Sequence, residues 1–196
     1  MNKTIECLVQ AYLGEAQARD RYTFYASTAK KEGYEQIAEI FSTVAEQEKK
    51  HGKTFYEFLV KLCGEELTNK KLMMKNVDIE IPVVFGTTAE NLKGAIQFEG
   101  EEFLNLYPHF ADIAEQEGYP DIAAKFRAIS HAEEHHKINF EKLLELVESG
   151  TYFNGRGIKT RVCRECGYMI VGESAPKICP SCDHPQGYFE LLQNDF

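Results

Sequence analysis

The chain has 196 residues, of which 43% are hydrophobic, so it can bury a sizeable core and still leave room for a small second domain. Its formal net charge of -9 argues against nucleic acid or an anionic membrane surface as a partner, because both repel an acidic protein. No apolar stretch approaches the roughly 20 residues of a membrane span, and the opening residues lack the unbroken apolar run of a signal peptide. We therefore expect a cytoplasmic protein.

The first predicted elements are two long helices joined by a short link. Apolar residues recur at helical spacing from residue 3 to residue 32, and the pattern stops at Gly33. A second helix covers residues 34–63 and stops at Gly64, since glycine is frequent just past a helix C-terminus. The short link predicts an antiparallel helical hairpin.

Residues 65–86 break the helical pattern. The stretch VDIEIPVVFG alternates in hydrophobicity and contains Pro82, which favours a long connection with a short extended segment. Thr87 and Glu90 then form a capping box for a third helix that ends at Gly118, and a fourth helix runs from Tyr119 to about residue 150. We predict a mainly α fold in which residues 1–148 form a four-helix bundle with one long crossover.

An internal repeat relates the two hairpins. Residues 32–59 align without gaps on residues 117–144, at an offset of 85, with ten identities in twenty-eight positions. The identities include two Glu-x-x-His pairs, Glu48 with His51 and Glu133 with His136, and each pair interrupts the apolar stripe of its helix. One such pair is common on a solvated helix face, but two in a repeat indicate buried ligands.

The remaining two helices carry acids at corresponding places, Glu15 and Glu99. Between its acid and the start of the repeat, the third helix has one residue more than the first helix. Pro108 falls in that stretch and has no N–H to donate, so we predict a bulge or kink near residues 106–108 that absorbs the extra residue.

Unpaired carboxylates in an apolar interior are costly and usually take up a proton or a cation. One member, Glu102, lies outside the repeat symmetry, since its counterpart in the first helix is Ala18. A set of oxygen and nitrogen donors without thiolate favours iron or manganese over a closed zinc site, and predicts a dinuclear centre. The residues predict six or seven ligands, namely Glu15, Glu48, His51, Glu99, Glu133 and His136, with or without Glu102.

The C-terminal residues 149–196 form a predicted small domain with a second metal site. Two C-x-x-C knuckles supply a tetrahedral four-sulfur site, which a module of this size needs for stability. The spacing does not distinguish iron from zinc, and alone it favours structural zinc. Gly167 allows backbone N–H groups to turn towards the sulfurs. The predicted ligands are Cys163, Cys166, Cys179 and Cys182.

The motifs GEAQARDRYTFYA, EQEKKH, EEHH, the Glu99 and Glu102 pair before Tyr107, and CRECGY with CPSC together resemble rubrerythrins over the whole chain. The resemblance implies a ferritin-like bundle with a non-haem di-iron centre, followed by a rubredoxin-like β/loop domain. It implies three iron ions per chain, two held by the seven donors named above and one, rather than zinc, by the four cysteines. It also implies that Tyr22 and Tyr107 support the di-iron site, whereas the residues alone leave them as ordinary core tyrosines.

The same resemblance implies a function. The protein would reduce hydrogen peroxide to water, with electrons supplied by a donor such as a rubredoxin and its reductase and relayed through the cysteine-bound iron. Glu102 would be a movable ligand that exchanges with a histidine. A head-to-tail homodimer is implied, and exchange of helical hairpins or a larger homo-oligomer stays open. The alternatives are an iron-oxidising storage protein and a structural bundle with a zinc-binding module.

Overall fold

The computed structural model describes residues 2–64 and 81–192 of the chain. Its α-helices are α1 (Lys3–Lys31), α2 (Glu35–Cys63), α3 (Thr88–Glu101), α4 (Tyr107–Gln116) and α5 (Pro120–Glu148). The four predicted long helices are confirmed, with α3, a π-helical turn and α4 together forming the third. The predicted extended stretch within 77–86 lies partly outside the described residues, and its described end has no regular structure.

The two hairpins close with the same turn. Gly33 follows α1 at φ +83 and Gly118 follows α4 at φ +84, a left-handed conformation that glycine adopts without strain. In each turn the next residue, Tyr34 or Tyr119, donates its N–H to a carbonyl of the preceding helix at 2.8 Å. The sequence repeat is therefore a repeat of local structure as well.

Each of these turns also caps the first helix of the other hairpin. Glu117 accepts the N–H of Thr4 at 2.8 Å, and Glu32 accepts the N–H of Thr88 at 3.0 Å. A carboxylate is favoured there because the first N–H groups of a helix have no partner within the helix. The crossed caps hold the two hairpins in a pseudo-twofold arrangement.

The predicted interruption of the third helix is confirmed, and it begins a few residues earlier than expected. Residues Glu102–Leu106 form a π-helix, and Tyr107 donates its N–H to the carbonyl of Glu102, five residues back. The wider turn takes up the additional residue before Pro108, whose ring would otherwise crowd the preceding turn. The register of Glu99 is thereby kept level with that of Glu15.

The bundle interior has two apolar layers rich in aromatic rings. One layer contains Tyr22, Tyr25, Phe41 and Phe140. The other contains Phe55, Tyr107, Phe110 and Phe126. Both sets are almost completely buried. The predicted acids and histidines lie between the two layers, so they are shielded from water on both sides along the bundle axis. No helix in the part of the chain that the structure describes combines the length and apolar character that a membrane span needs.

A small antiparallel sheet follows the bundle. Its strands are β1 (Asn154–Cys163), β2 (Met169–Ser174) and β3 (Phe189–Leu191), in the order β2-β1-β3. It packs against the end of the bundle where α1 turns into α2: Arg164 pairs with Glu39 of α2, and the Tyr152 hydroxyl donates to Gln36 at 3.2 Å. Gly187 lies so close to the backbone of Gly33 that a side chain there would collide with it.

Candidate metal centres

Six of the seven predicted di-iron ligands come together in the middle of the bundle. They fall into two overlapping sets, in each of which one donor atom per residue lies within 4.8 Å of the others. The first set is Glu15, Glu48, His51 and Glu133, and the second is Glu48, Glu99, Glu133 and His136. Because Glu48 and Glu133 belong to both sets, the arrangement is that of two adjacent cation sites with two shared carboxylates.

The two shared carboxylates divide their oxygens between the histidines. Glu48 places Oε2 at 2.9 Å from His51 Nδ1 and Oε1 at 3.1 Å from His136 Nδ1. Glu133 places Oε1 at 3.0 Å from His51 Nδ1 and Oε2 at 2.8 Å from His136 Nδ1. Each carboxylate therefore offers one oxygen to each side of the centre, as a bridging ligand does.

The two tyrosines of the motifs lie against the remaining acids, in a crossed arrangement. Tyr107 donates its hydroxyl to Glu15 Oε1 at 2.5 Å, and Tyr22 donates its hydroxyl to Glu99 Oε1. In both cases the bonded oxygen is Oε1, and Oε2 is left without a hydrogen-bond partner. The tyrosines thus fix each carboxylate so that its free oxygen is available to the centre.

Several buried donor atoms of the centre have no hydrogen-bond partner among the residues that the structure describes. They are Glu15 Oε2, Glu48 Oε1, Glu99 Oε2, both carboxylate oxygens of Glu133, and His136 Nδ1. An unpaired buried carboxylate costs several kcal/mol on the order-of-magnitude scale for buried polar groups, and the common remedies are protonation or a bound cation. All the orphaned atoms are hard oxygen or imidazole nitrogen donors, so the residues fit a pair of iron or manganese ions.

The crowding of charge at the centre shifts the pKa values of its carboxyl groups. Burial, reinforced by the charge of Glu48, raises the pKa of Glu99 to about 8 and raises the pKa of Glu15 well above its ordinary value. Burial acts the same way on Glu48, but the adjacent imidazoles of His136 and His51 outweigh it and lower the pKa of Glu48 to about 2. A bound cation would relieve this conflict by neutralising the acids together.

Glu102, the seventh predicted ligand, is placed differently. It begins the π-helical turn, is only half-buried, and belongs to neither of the two donor sets. Burial and the charge of Glu99 raise the pKa of Glu102 well above its ordinary value, so the side chain is electrostatically part of the centre. A wide helical turn gives this carboxylate a position that a regular helix would not.

Gln47 is a supporting residue that the sequence did not reveal. Its Oε1 accepts the Nε2 hydrogen of His136 at 2.9 Å, which leaves Nδ1 of that ring free to face the acids. The residue equivalent to Gln47 in the repeat is Ala132, so the repeat gave no signal for a partner at this position.

The four predicted cysteine ligands also come together. Their sulfurs lie within 4.8 Å of one another, and two pairs, Cys163 with Cys182 and Cys166 with Cys179, have sulfurs 3.7 Å apart. Cys166 is exposed, and the backbone N–H of Tyr168, with a hydrogen bond from Cys182, lowers the pKa of its thiol to about 6. The two other cysteines, Cys7 and Cys63, are buried within the bundle, as expected for small apolar residues.

The two knuckles are built alike. Gly167 has φ +76 and donates its N–H to the carbonyl of Cys163 at 2.8 Å. Asp183, at the same place in the second knuckle, has φ +59 and donates its N–H to the carbonyl of Cys179 at 3.0 Å. Aspartate is one of the few residues other than glycine that adopt this conformation readily. The turns direct the four sulfurs towards one point.

These features define a class: a ferritin-like bundle with a dinuclear carboxylate and histidine site, joined to a small four-cysteine metal domain. The Rubrerythrin family model matches residues 6–144, and the model of the rubrerythrin rubredoxin-like domain matches residues 162–190. Over 196 residues the chain is 45% identical to a rubrerythrin of Porphyromonas gingivalis, covering all of this chain and 92% of that protein. It is 43% identical to rubrerythrin-1 of Clostridium acetobutylicum, covering 99% and 96%.

A solved structure of nigerythrin in a mixed-valence state is 27% identical to the chain, with a TM-score of 0.62 and coverage of 96% of this chain and 86% of that one. The chain belongs to the rubrerythrin family. Members of this family are iron-dependent oxidoreductases with a di-iron site, generally associated with oxidative stress. The four-cysteine cluster fits a rubredoxin-like iron site, which indicates reaction with a redox partner.

Proposed function

We propose that the protein is a non-haem di-iron peroxidase that reduces hydrogen peroxide to water. The observation that carries this proposal is the set of buried oxygen and nitrogen atoms without partners at the centre of the bundle. A folded protein tolerates such a set when a cation satisfies it. A redox-active metal pair in the same chain as an electron-transfer domain further suits a reaction that consumes two electrons at a time.

In this proposal Glu48 and Glu133, which belong to both donor sets, would help to hold both ions, Glu15 and His51 would complete one site, and Glu99 and His136 would complete the other. When bound, a ferrous pair supplies the two electrons that break the O–O bond of peroxide, and two protons complete two molecules of water. Glu102 is the seventh donor. Because it stands outside both sets, we assign to it the role of a carboxylate that would move to supply a further oxygen to the site when the charge of the bound ions requires it.

The surrounding residues prepare the site for this chemistry. The Tyr22 and Tyr107 hydroxyls each donate a hydrogen bond to one carboxylate oxygen, of Glu99 and of Glu15, and keep the second oxygen directed inward. The apolar layers on both sides exclude water and strengthen every electrostatic contact inside. Gln47 keeps His136 in the ring orientation and tautomer that a metal ligand needs.

We further propose that the four cysteines hold a third iron, which passes electrons one at a time to the di-iron pair. The electrons would come from a donor such as a rubredoxin and its reductase. Within one chain this domain is attached far from the centre, since its contact residue Glu39 precedes Glu48 by nine residues, about 14 Å along the helix axis. A head-to-tail homodimer would offer a shorter path from the partner subunit.

The test is anaerobic stopped-flow mixing of the fully reduced protein with peroxide and, separately, with dioxygen. We expect fast oxidation of the iron-thiolate chromophore by peroxide, and loss of that reaction in Glu99→Gln. The matched control is Glu101→Gln, two residues away on the exposed surface. Reduced protein that ignores peroxide but oxidises added ferrous iron with dioxygen would instead indicate iron storage.

Electron transfer between subunits is tested by mixing two defective variants. Cys179→Ser subunits lack the relay and Glu99→Gln subunits lack the reaction site. If the path runs between subunits, a mixed dimer regains peroxide-driven oxidation of the chromophore. If it runs within one chain, the mixture stays as inactive as its components.

A further inference from the structure

A cleft of about 280 Å³ opens between α1 and α2 and ends on two of the proposed iron ligands, Glu15 and Glu48. The same cleft is lined by Tyr12, Arg19, Lys49, Gly52, Lys53 and Tyr56, with Ala16 at its side. The two carboxylates at its end are almost completely buried, with exposed fractions of 0% and 1%. Only the side chains of Glu15 and Glu48 therefore separate the end of the cleft from the metal centre on this side of the bundle.

Gly52 lines the cleft and has no side chain to fill it. It is buried within α2, and a Cβ at this position would lie 3.2 Å from Glu15 Cβ and 3.9 Å from the Tyr12 ring. Glycine inside a helix costs about 0.5–1 kcal/mol relative to alanine, so its use there needs a reason. An added Cβ would already press on Glu15 Cβ, so a longer side chain at position 52 would have to extend outward and fill the cleft in front of Glu15.

The internal repeat supplies a comparison within the same molecule. At the offset of 85, Gly52 corresponds to Lys137 of α5. At the offset of 84 that relates Glu15 to Glu99, Ala16 corresponds to Gly100 of α3. On that side the Lys137 chain lies over Gly100, where an added Cβ would meet its Cε at 3.4 Å. Glu141 holds the Lys137 ammonium at 2.6 Å. The α3 and α5 side is thus covered where the α1 and α2 side is open.

The histidines show the same asymmetry. The His51 side chain, next to Gly52, is 15% exposed, whereas the His136 side chain is 4% exposed. Lys49 and Lys53 at the mouth are paired with Glu46 at 2.9 Å and with Glu57 at 3.5 Å. These pairs balance the two lysine charges and leave Arg19 as the further cation of the lining, so the mouth does not repel a small neutral molecule or a small anion.

We propose that the cleft at Gly52 is the route by which small ligands reach the di-iron centre, and that Gly52 is the residue that sets the size of molecule admitted. The identification of peroxide as the natural ligand rests on the proposed function; the route itself does not. Tyr12 and Tyr56, whose ring centroids are 5.5 Å apart, form the rim of the opening. The absence of a side chain at position 52 is what distinguishes the open half of the repeat from the closed half.

The experiment measures the association rate of azide with the oxidised iron-loaded protein, by the change in absorption, alongside the rate of oxidation of the reduced protein by peroxide. Gly52→Leu should slow azide association and peroxide oxidation by about tenfold or more, which is within the range by which association rates vary among variants of one site. Gly52→Ala should slow both reactions to a smaller extent. The control for Gly52→Ala is Gly100→Ala, a buried helical glycine on the covered side, which should leave both rates unchanged. Iron content and helical circular dichroism confirm that each variant is folded and loaded.

A second substitution tests the logic of the repeat. Lys137→Ala uncovers the other side and should restore azide association in the Gly52→Leu background. Slowing by Gly14→Ala, whose Cβ would lie 3.6 Å from Glu102 Oε1, with no effect of Gly52→Leu would overturn the proposal in favour of a route past Glu102. If azide responds as expected but even the unaltered protein ignores peroxide, the route stands and the proposed function fails. If peroxide reacts rapidly in Gly52→Leu, the function stands and the route fails.

Discussion

Replacing Tyr107 with phenylalanine removes one hydroxyl from the interior of the bundle and leaves Glu15 Oε1 without its donor at 2.5 Å. Both side chains are fully buried, so water does not take over the bond. A hydrogen bond to a charged group contributes about 1.5–3 kcal/mol, and we take about 2 kcal/mol as the expected loss. For a protein of this size that loss corresponds to a fall in the midpoint of thermal unfolding of about 4–8 °C. The measurement is thermal unfolding of the iron-loaded protein followed by circular dichroism.

The matched control is Tyr25→Phe. Tyr25 is equally buried and donates at 2.6 Å, but its acceptor is the neutral carbonyl of Val84. The expected loss is about 1 kcal/mol, or about 2–4 °C. Tyr22→Phe removes the hydroxyl that donates to Glu99, so its loss of thermal stability should equal that of Tyr107→Phe. Equal losses in all three variants, or a larger loss in Tyr25→Phe, would refute the view that the two acids are charged and bound to metal in the folded protein.

Removal of the metals should unfold the C-terminal domain while the helices persist, because two of the four residues in the small buried cluster of that domain are cysteine ligands. Hydrogen exchange after chelation would show the loss of protection in the β strands, and retained protection of those strands would contradict the prediction. In that domain Gly167→Ala should speed metal loss to a chelator, since φ is +76, whereas Asp183→Gly should slow it or leave it unchanged. Hydrogen bonds from Thr4 lower the pKa of Glu117, so its stabilising effect is present above the unfolded value of about 4.3 and is lost as pH falls through the lowered folded value. Glu117→Gln should therefore reduce the denaturation midpoint near neutral pH and have no effect in acid, and a deficit that persists in acid would contradict the assignment.

The sequence predicted most of the fold because its signals were local and repeated. Helical periodicity located the helices, and left-handed glycines at 33 and 118 marked both hairpin turns. The repeat paired Glu48 with Glu133 and His51 with His136, and counting residues back from it paired Glu15 with Glu99. The same count predicted an interruption before Pro108, because one additional residue has to be absorbed somewhere if the acids are to stay level.

Features that depend on packing between helices were not accessible in this way. Gln47 supports His136 only because α2 and α5 are neighbours, and its repeat counterpart is an alanine. The position of Glu102 outside both donor sets follows from the π-helical turn. The residue count predicted that turn near residues 106–108, whereas it begins at Glu102. The cleft at Gly52 depends on what a glycine leaves empty, and a sequence pattern does not show an empty space.

The central claim is that Glu48 and Glu133 share two iron ions inside the bundle. It is tested most directly by a crystal structure of the anaerobically purified protein with anomalous scattering recorded at the iron edge. The account predicts two iron peaks flanked by these two carboxylates and a third among the four cysteine sulfurs. Absence of a peak between Glu48 and Glu133, or carboxylates turned away from each other with their oxygens satisfied by protein donors, would contradict it.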